Sequence, residues 1–189
     1  MLEPLGVSAT VVALAEIGDK TQLLAIVLAA KYRKPIPILL GILVATLLNH
    51  AIAAWAGYAV AQWLTGQAFR IAVGASFIVM AGWALIPDKQ EDETATRSRG
   101  GVFVTTLIAF FLVEIGDKTQ IATSLLAARF QDIVMVTAGT TLGMMLANVP
   151  AVFVGEAATK IVPLRYVRMA AAVLFAIIGA GIVWTAVAT

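Results

Sequence analysis

The heptapeptide EIGDKTQ occupies Glu16–Gln22 and returns letter for letter at Glu114–Gln120. Each copy lies in the middle of an apolar run, and the question of what a charged heptapeptide does there decides the fold. The surrounding chain of 189 residues is 61% hydrophobic and 13% charged, with a mean hydropathy of +0.95. An ordinary globular domain is far less apolar, so the composition specifies an integral membrane protein.

Apolar runs long enough to span a bilayer as helix, about 20 residues, lie at 5–30, 36–63, 71–87, 102–128, 133–158 and 169–188. This predicts an all-α protein with six transmembrane helices. Lys31, Arg33 and Lys34 fall in the first loop, Lys89, Arg97 and Arg99 in the third, and Lys160, Arg165 and Arg168 in the fifth. Cytoplasmic loops carry the excess of basic residues, so these loops face inward and both termini face outside. The loop from Pro87 to Gly100, with Asp88, Glu91, Asp92 and Glu93 ahead of its basic residues, reads as a solvated cytoplasmic connector. The first ten residues hold no Lys or Arg and no small-residue cleavage site, so they are expected to be retained rather than removed as a signal peptide.

The two heptapeptides stand 98 positions apart, and the same offset pairs Gly41 with Gly139, Ala45 with Gly143, Gly57 with Gly155 and Phe77 with Phe175. The chain is therefore an internal duplication: a first three-helix repeat at 1–87, a linker at 88–101 and a second repeat at 102–189. Three helices are an odd number, so the second repeat must enter the membrane in the opposite sense. Two inverted repeats are a transporter architecture whose site lies at the midplane between them.

Six ionisable residues, Glu16, Asp19, Lys20, Glu114, Asp117 and Lys118, fall at that depth. On insertion scales each costs about 2.5–3.5 kcal/mol at a helix centre, which makes them candidates for function. On a regular helix Glu16, Asp19 and Lys20 would share one broad face. Gly18 and Gly116 would permit a local break or a close approach. A structural alternative has Glu16 with Lys20 and Glu114 with Lys118 as internal ion pairs. The lysines are expected to hold a carboxylate or to touch substrate, with Thr21, Gln22, Thr119 and Gln120 extending the polar surface. Asn49 and His50 in the second span, and Asn148 in the fifth, could complete a shell of ligands or serve as interhelical hydrogen-bond partners. Pro150 is expected to kink the fifth helix and free a carbonyl. Glu156 is expected to reach interfacial water. The pairs Gly41 with Ala45 and Gly139 with Gly143 are expected packing faces.

Four carboxylates with amide and hydroxyl oxygens suit a hard cation such as manganese, calcium or magnesium. The absence of cysteine excludes disulfides, thiolate metal sites and cysteine nucleophiles. A net charge of +2 without any long basic run excludes a nucleic-acid partner. Each motif carries two acids and one base, so the pair sums to minus two when ionised. One divalent cation or two protons would neutralise it, which makes exchange of the two a natural mechanism.

At these residues the chain also resembles a known family. Two E-x-G-D-K-[TS] motifs, both present as EIGDKT at Glu16 and at Glu114, in a duplicated six-helix chain, are similar to those of the cation/proton exchangers. That family includes the Golgi manganese and calcium transporters and bacterial manganese exporters, and is related more distantly to LysE-type exporters. The resemblance spans essentially the whole chain. It implies export of manganese or calcium by proton exchange, with Glu16, Asp19, Glu114 and Asp117 as the ion-binding acids and the cation as cargo rather than permanent cofactor. The short stretch before the first helix implies a compact prokaryotic member in the plasma membrane. Oligomeric state is left open.

Two other function classes bear on the same residues. A LysE-like exporter of an organic cation or amino acid would use the acids for an amine and the lysines for a carboxylate. Against it, Trp55, Trp63, Trp83 and Trp184 lie mostly toward the helix ends, leaving the motifs without an aromatic for cation–π contact. An intramembrane hydrolase could use Asp19 and Asp117 as paired acids. A channel fits less well, because charges of both signs at a closed midplane favour alternating access.

Overall fold

The computed structural model describes residues 2–86, 101–154 and 164–188. Every element in them is helical: α1 (Glu3–Glu16), α2 (Lys20–Tyr32), α3 (Pro35–Trp63), α4 (Gln67–Ala84), α5 (Gly101–Glu114), α6 (Lys118–Phe130), α7 (Ile133–Val154) and α8 (Leu164–Ala188). The expected acidic connector and Glu156 lie outside the described residues.

Four helices, α3, α4, α7 and α8, are long and apolar enough to cross a membrane, and the chain is a multi-pass membrane protein. The runs expected at 5–30 and 102–128 are each broken in two. Their halves hold 14 and 13 residues in both cases, about 20 Å apiece at 1.5 Å per residue and short of a bilayer core alone. The expectation that Glu16, Asp19 and Lys20 share one face of a regular helix is thereby corrected: Glu16 ends α1, while Asp19 and Lys20 begin α2. Gly18 and Gly116 make the break, with φ of 81° and 76°, a left-handed conformation that side chains resist.

The 98-residue offset survives in backbone detail. Asp19 and Asp117 are both extended N-caps, at φ −83°, ψ 169° and φ −74°, ψ 163°. Arg33 and Gln131, also 98 apart, close α2 and α6 with the same φ of 52°. Helix pairing follows the offset too: α1 packs on α7 as α5 packs on α3, and α6 lies on α3 as α2 lies on α7. The pair α4 and α8 meets around Phe77 and Phe175, whose ring centroids are 6.2 Å apart. That pair leans against α1 and α6, so the arrangement is not fully symmetric.

In α3 the buried residues Ile38, Ile42, Ala45, Asn49 and Ala53 form one stripe, while Leu40, Leu47, Leu48, Ile52 and Trp55 point outward. The outer stripe is apolar as well as most of the inner one, because lipid rather than water covers it. The small residues set the closest approaches, as expected for Gly41, Gly139 and Gly143. A Cβ on Gly41 would meet Thr106 of α5 at 2.8 Å, and one on Gly143 would run into the backbone of Ala9 in α1. Gly57 is tighter still, lying against the backbone carbonyl of Ser124 in α6. Gly57→Ala therefore forces α3 away from α6. Overpacking of this kind costs about 1–3 kcal/mol, expected as a lowered melting temperature in detergent, whereas Gly6→Ala, with nothing within 4 Å of its added carbon, leaves it unchanged. The helix α7 runs through Pro150 without interruption.

Candidate functional site

At each break a helix ends and another begins in the protein interior, so backbone groups normally consumed by the helix become available. Asp19 N–H donates to the Glu16 carbonyl at 3.0 Å, and Asp117 N–H to the Glu114 carbonyl at 3.1 Å. The glutamines staple both turns: Gly18 N–H donates to Gln22 Oε1 at 2.8 Å, and Gly116 N–H to Gln120 Oε1 at 2.6 Å. These contacts explain why the motif includes Gln at its seventh position. The Gln22 amide also donates to the Ala147 carbonyl at 3.0 Å, tying the first motif to α7.

The breaks bring acids from both motifs together. Carboxylate oxygens of Glu16, Asp19 and Asp117 lie within 4.8 Å of one another, and all three residues are buried. Three convergent carboxylates of this kind could hold a hard cation. Glu114 stands outside that group. Its Oε1 accepts a hydrogen bond from Thr46 at 3.0 Å and its Oε2 one from Asn49 at 3.3 Å, both from α3. Asn49 also donates to the Phe111 carbonyl at 3.0 Å, so it joins α3 to α5.

The lysines do not make the internal pairs considered from sequence. Lys20 reaches across to the other motif, with its Nζ 3.8 Å from Asp117 Oδ1. Lys118 donates to the Ile86 carbonyl at 3.0 Å and sits 5.7 Å from the centroid of the Trp83 ring. An aromatic side chain thus does reach the motif, contrary to the expectation from the placement of the tryptophans. Two identical lysines have different environments because the end of α4, with Trp83 and the Ile86 carbonyl beyond it, receives Lys118, whereas Lys20 faces Asp117.

The remaining expected residues divide. Thr119 donates to Asp117 Oδ2 at 3.4 Å. Thr21 is buried, and its hydroxyl makes no hydrogen bond among the described residues. His50 is fully buried, and neither ring nitrogen makes a hydrogen bond among the described residues. Asn148 turns back on its own helix, donating to the Met144 carbonyl at 3.0 Å. The carbonyl near Pro150 that the motif engages is that of Ala147, through Gln22. Thr46 escaped sequence reading altogether. It stands three residues before Asn49 on an otherwise apolar helix, and that spacing was the available signal.

A cavity of about 20 Å³ adjoins Asp19, lined also by Gly18, Leu14, Met80, Lys118 and Arg168. Its size suits one water molecule.

The family model of the divalent cation/proton antiporter GDT1 matches residues 4–92 and 102–189. A protein of Vibrio cholerae serotype O1 described as "Putative manganese exporter" is 52% identical over 176 residues, covering 93% of this chain and 88% of that protein. No solved structure matches the chain. With both breaks, the buried acids and these matches in view, the chain belongs to the divalent cation/proton antiporter family and is a membrane cation transporter.

Proposed function

We propose that the protein exports manganese across the plasma membrane in exchange for protons, through a site at which Glu16, Asp19 and Asp117 bind the ion. The observation that carries this is the buried convergence of those carboxylates, within 4.8 Å, from both heptapeptides. Three carboxylates and the adjacent Lys20 sum to minus two when ionised. A divalent cation neutralises that charge, and protons arriving in its place do the same.

The six-span reading joins α1 to α2 and α5 to α6 as broken spans in two inverted repeats, with both termini outside. The shared pairing of α1 with α7 and of α5 with α3 supports it. Discontinuous spans facing each other at mid-depth are the device by which transporters expose polar backbone to an ion without exposing it to lipid. Alternating access then requires the two repeats to rock about that site.

Manganese as cargo is supported by the likeness to the Vibrio cholerae protein and by an all-oxygen donor set without cysteine. The test is uptake into proteoliposomes with an imposed pH gradient. Manganese flux driven by the gradient, and collapsed when a protonophore dissipates it, is the expected outcome. Flux indifferent to the gradient would remove proton exchange, and preferential calcium flux would reassign the cargo.

A further inference from the structure

The two heptapeptides are identical, yet their first acids have different neighbours. Glu114 is held by Thr46 and Asn49. The same 98-residue offset carries Thr46 to Met144 and Asn49 to Ala147, which offer Glu16 no side-chain hydroxyl or amide. Glu16 lies with Asp19 and Asp117 instead. Local sequence cannot produce this difference, because it is the same in both copies. It comes from α3 and α7.

We infer that Thr46 and Asn49 are positioning residues that latch Glu114 out of the three-carboxylate cluster, so that the two copies of one motif perform different parts of the transport cycle. The inference rests on the reading of Glu16, Asp19 and Asp117 as the cation site. With two donors removed, Glu114 has no side-chain hydrogen bond to keep it against α3 and becomes available as a fourth carboxylate. Affinity for hard cations rises with the number of charged ligands. A site that grips its ion harder releases it more slowly, and a carrier must bind weakly enough to let go.

The experiment is calorimetric manganese binding to the full chain in detergent, paired with proteoliposome transport, for wild type, Glu16→Gln, Thr46→Val with Asn49→Ala, and that double variant carrying Glu114→Gln. The double variant is expected to bind manganese about tenfold more tightly and to turn over more slowly. Adding Glu114→Gln should return affinity to the wild-type value, a reversal that a merely structural role for Thr46 and Asn49 would not produce. Unchanged or weakened binding in the double variant, or a gain that survives Glu114→Gln, overturns the latch while leaving the cation site intact if Glu16→Gln still loses binding. Wild-type binding by Glu16→Gln would instead remove the site, and the latch with it. Asn49 also bonds the Phe111 carbonyl, so the double variant tests folding as well as the latch. Thr46→Val alone, close in shape, covers that case: about a threefold gain is expected, Thr46→Ser should restore the wild-type value, and no gain overturns the latch.

Discussion

Glu16→Gln is expected to reduce manganese binding and transport by on the order of 100-fold, while Glu114→Gln leaves equilibrium binding within about threefold of wild type. The two residues are equivalent in sequence, so a reading of the motif alone assigns them equal effects. The structure separates them. Glu16 contributes an oxygen to the group that lies within 4.8 Å, and Gln keeps its size but offers one neutral carbonyl where a charged oxygen stood. The three acids with Lys20 drop from minus two to minus one, too little to balance a divalent ion in a medium where uncompensated charge is costly. Glu114 already spends its oxygens on Thr46 and Asn49. Calorimetry on both purified variants checks the contrast. Equal losses would mean that all four acids hold the ion together, and equal retention would move the site elsewhere.

Asp117→Asn should be at least as damaging, by about 100- to 1000-fold in affinity, and for two reasons. It removes a ligand supplied by the second motif, and it removes the ion pair that Lys20 makes at 3.8 Å. A half-buried cation left facing the site without its partner repels the incoming ion. Lys20→Gln placed on Asp117→Asn restores a net charge of minus two from Glu16 and Asp19. It should recover about tenfold in affinity. Transport assays with both variants read the effect directly: a wild-type rate for Asp117→Asn would mean that one motif suffices, and absence of any recovery would assign Lys20 a role other than charge balance. Lys118→Gln on the same background should give no recovery, since Lys118 is turned to the Ile86 carbonyl and the Trp83 ring.

The contrast between Glu16 and Glu114 also marks where reading the sequence stops. Membrane class, the repeated heptapeptide and the identity of the buried acids were all legible, because hydropathy, repetition and charge are properties of the chain itself. Glycines at the third motif position made a break permissible. That it occurs at both copies depends on tertiary contacts, since the Gln staple and the packing of the half-helices must offset two turns of lost helix. Which acids converge was illegible for a related reason. The groups that capture Glu114 lie 68 and 65 residues away, and the partner of Lys20 lies in the other motif. Nor did overall hydropathy orient α3, since both of its sides are mostly apolar; only its few mid-helix polar residues, Thr46, Asn49 and His50, mark the core side. By itself, then, the sequence determined that two identical charged turns sit inside a membrane protein and that hard-cation chemistry is available there. Only the tertiary structure decided that the copies differ, because identical segments adopt the same backbone but take their electrostatics from whatever helix packs against them, and α3 and α7 are not the same helix.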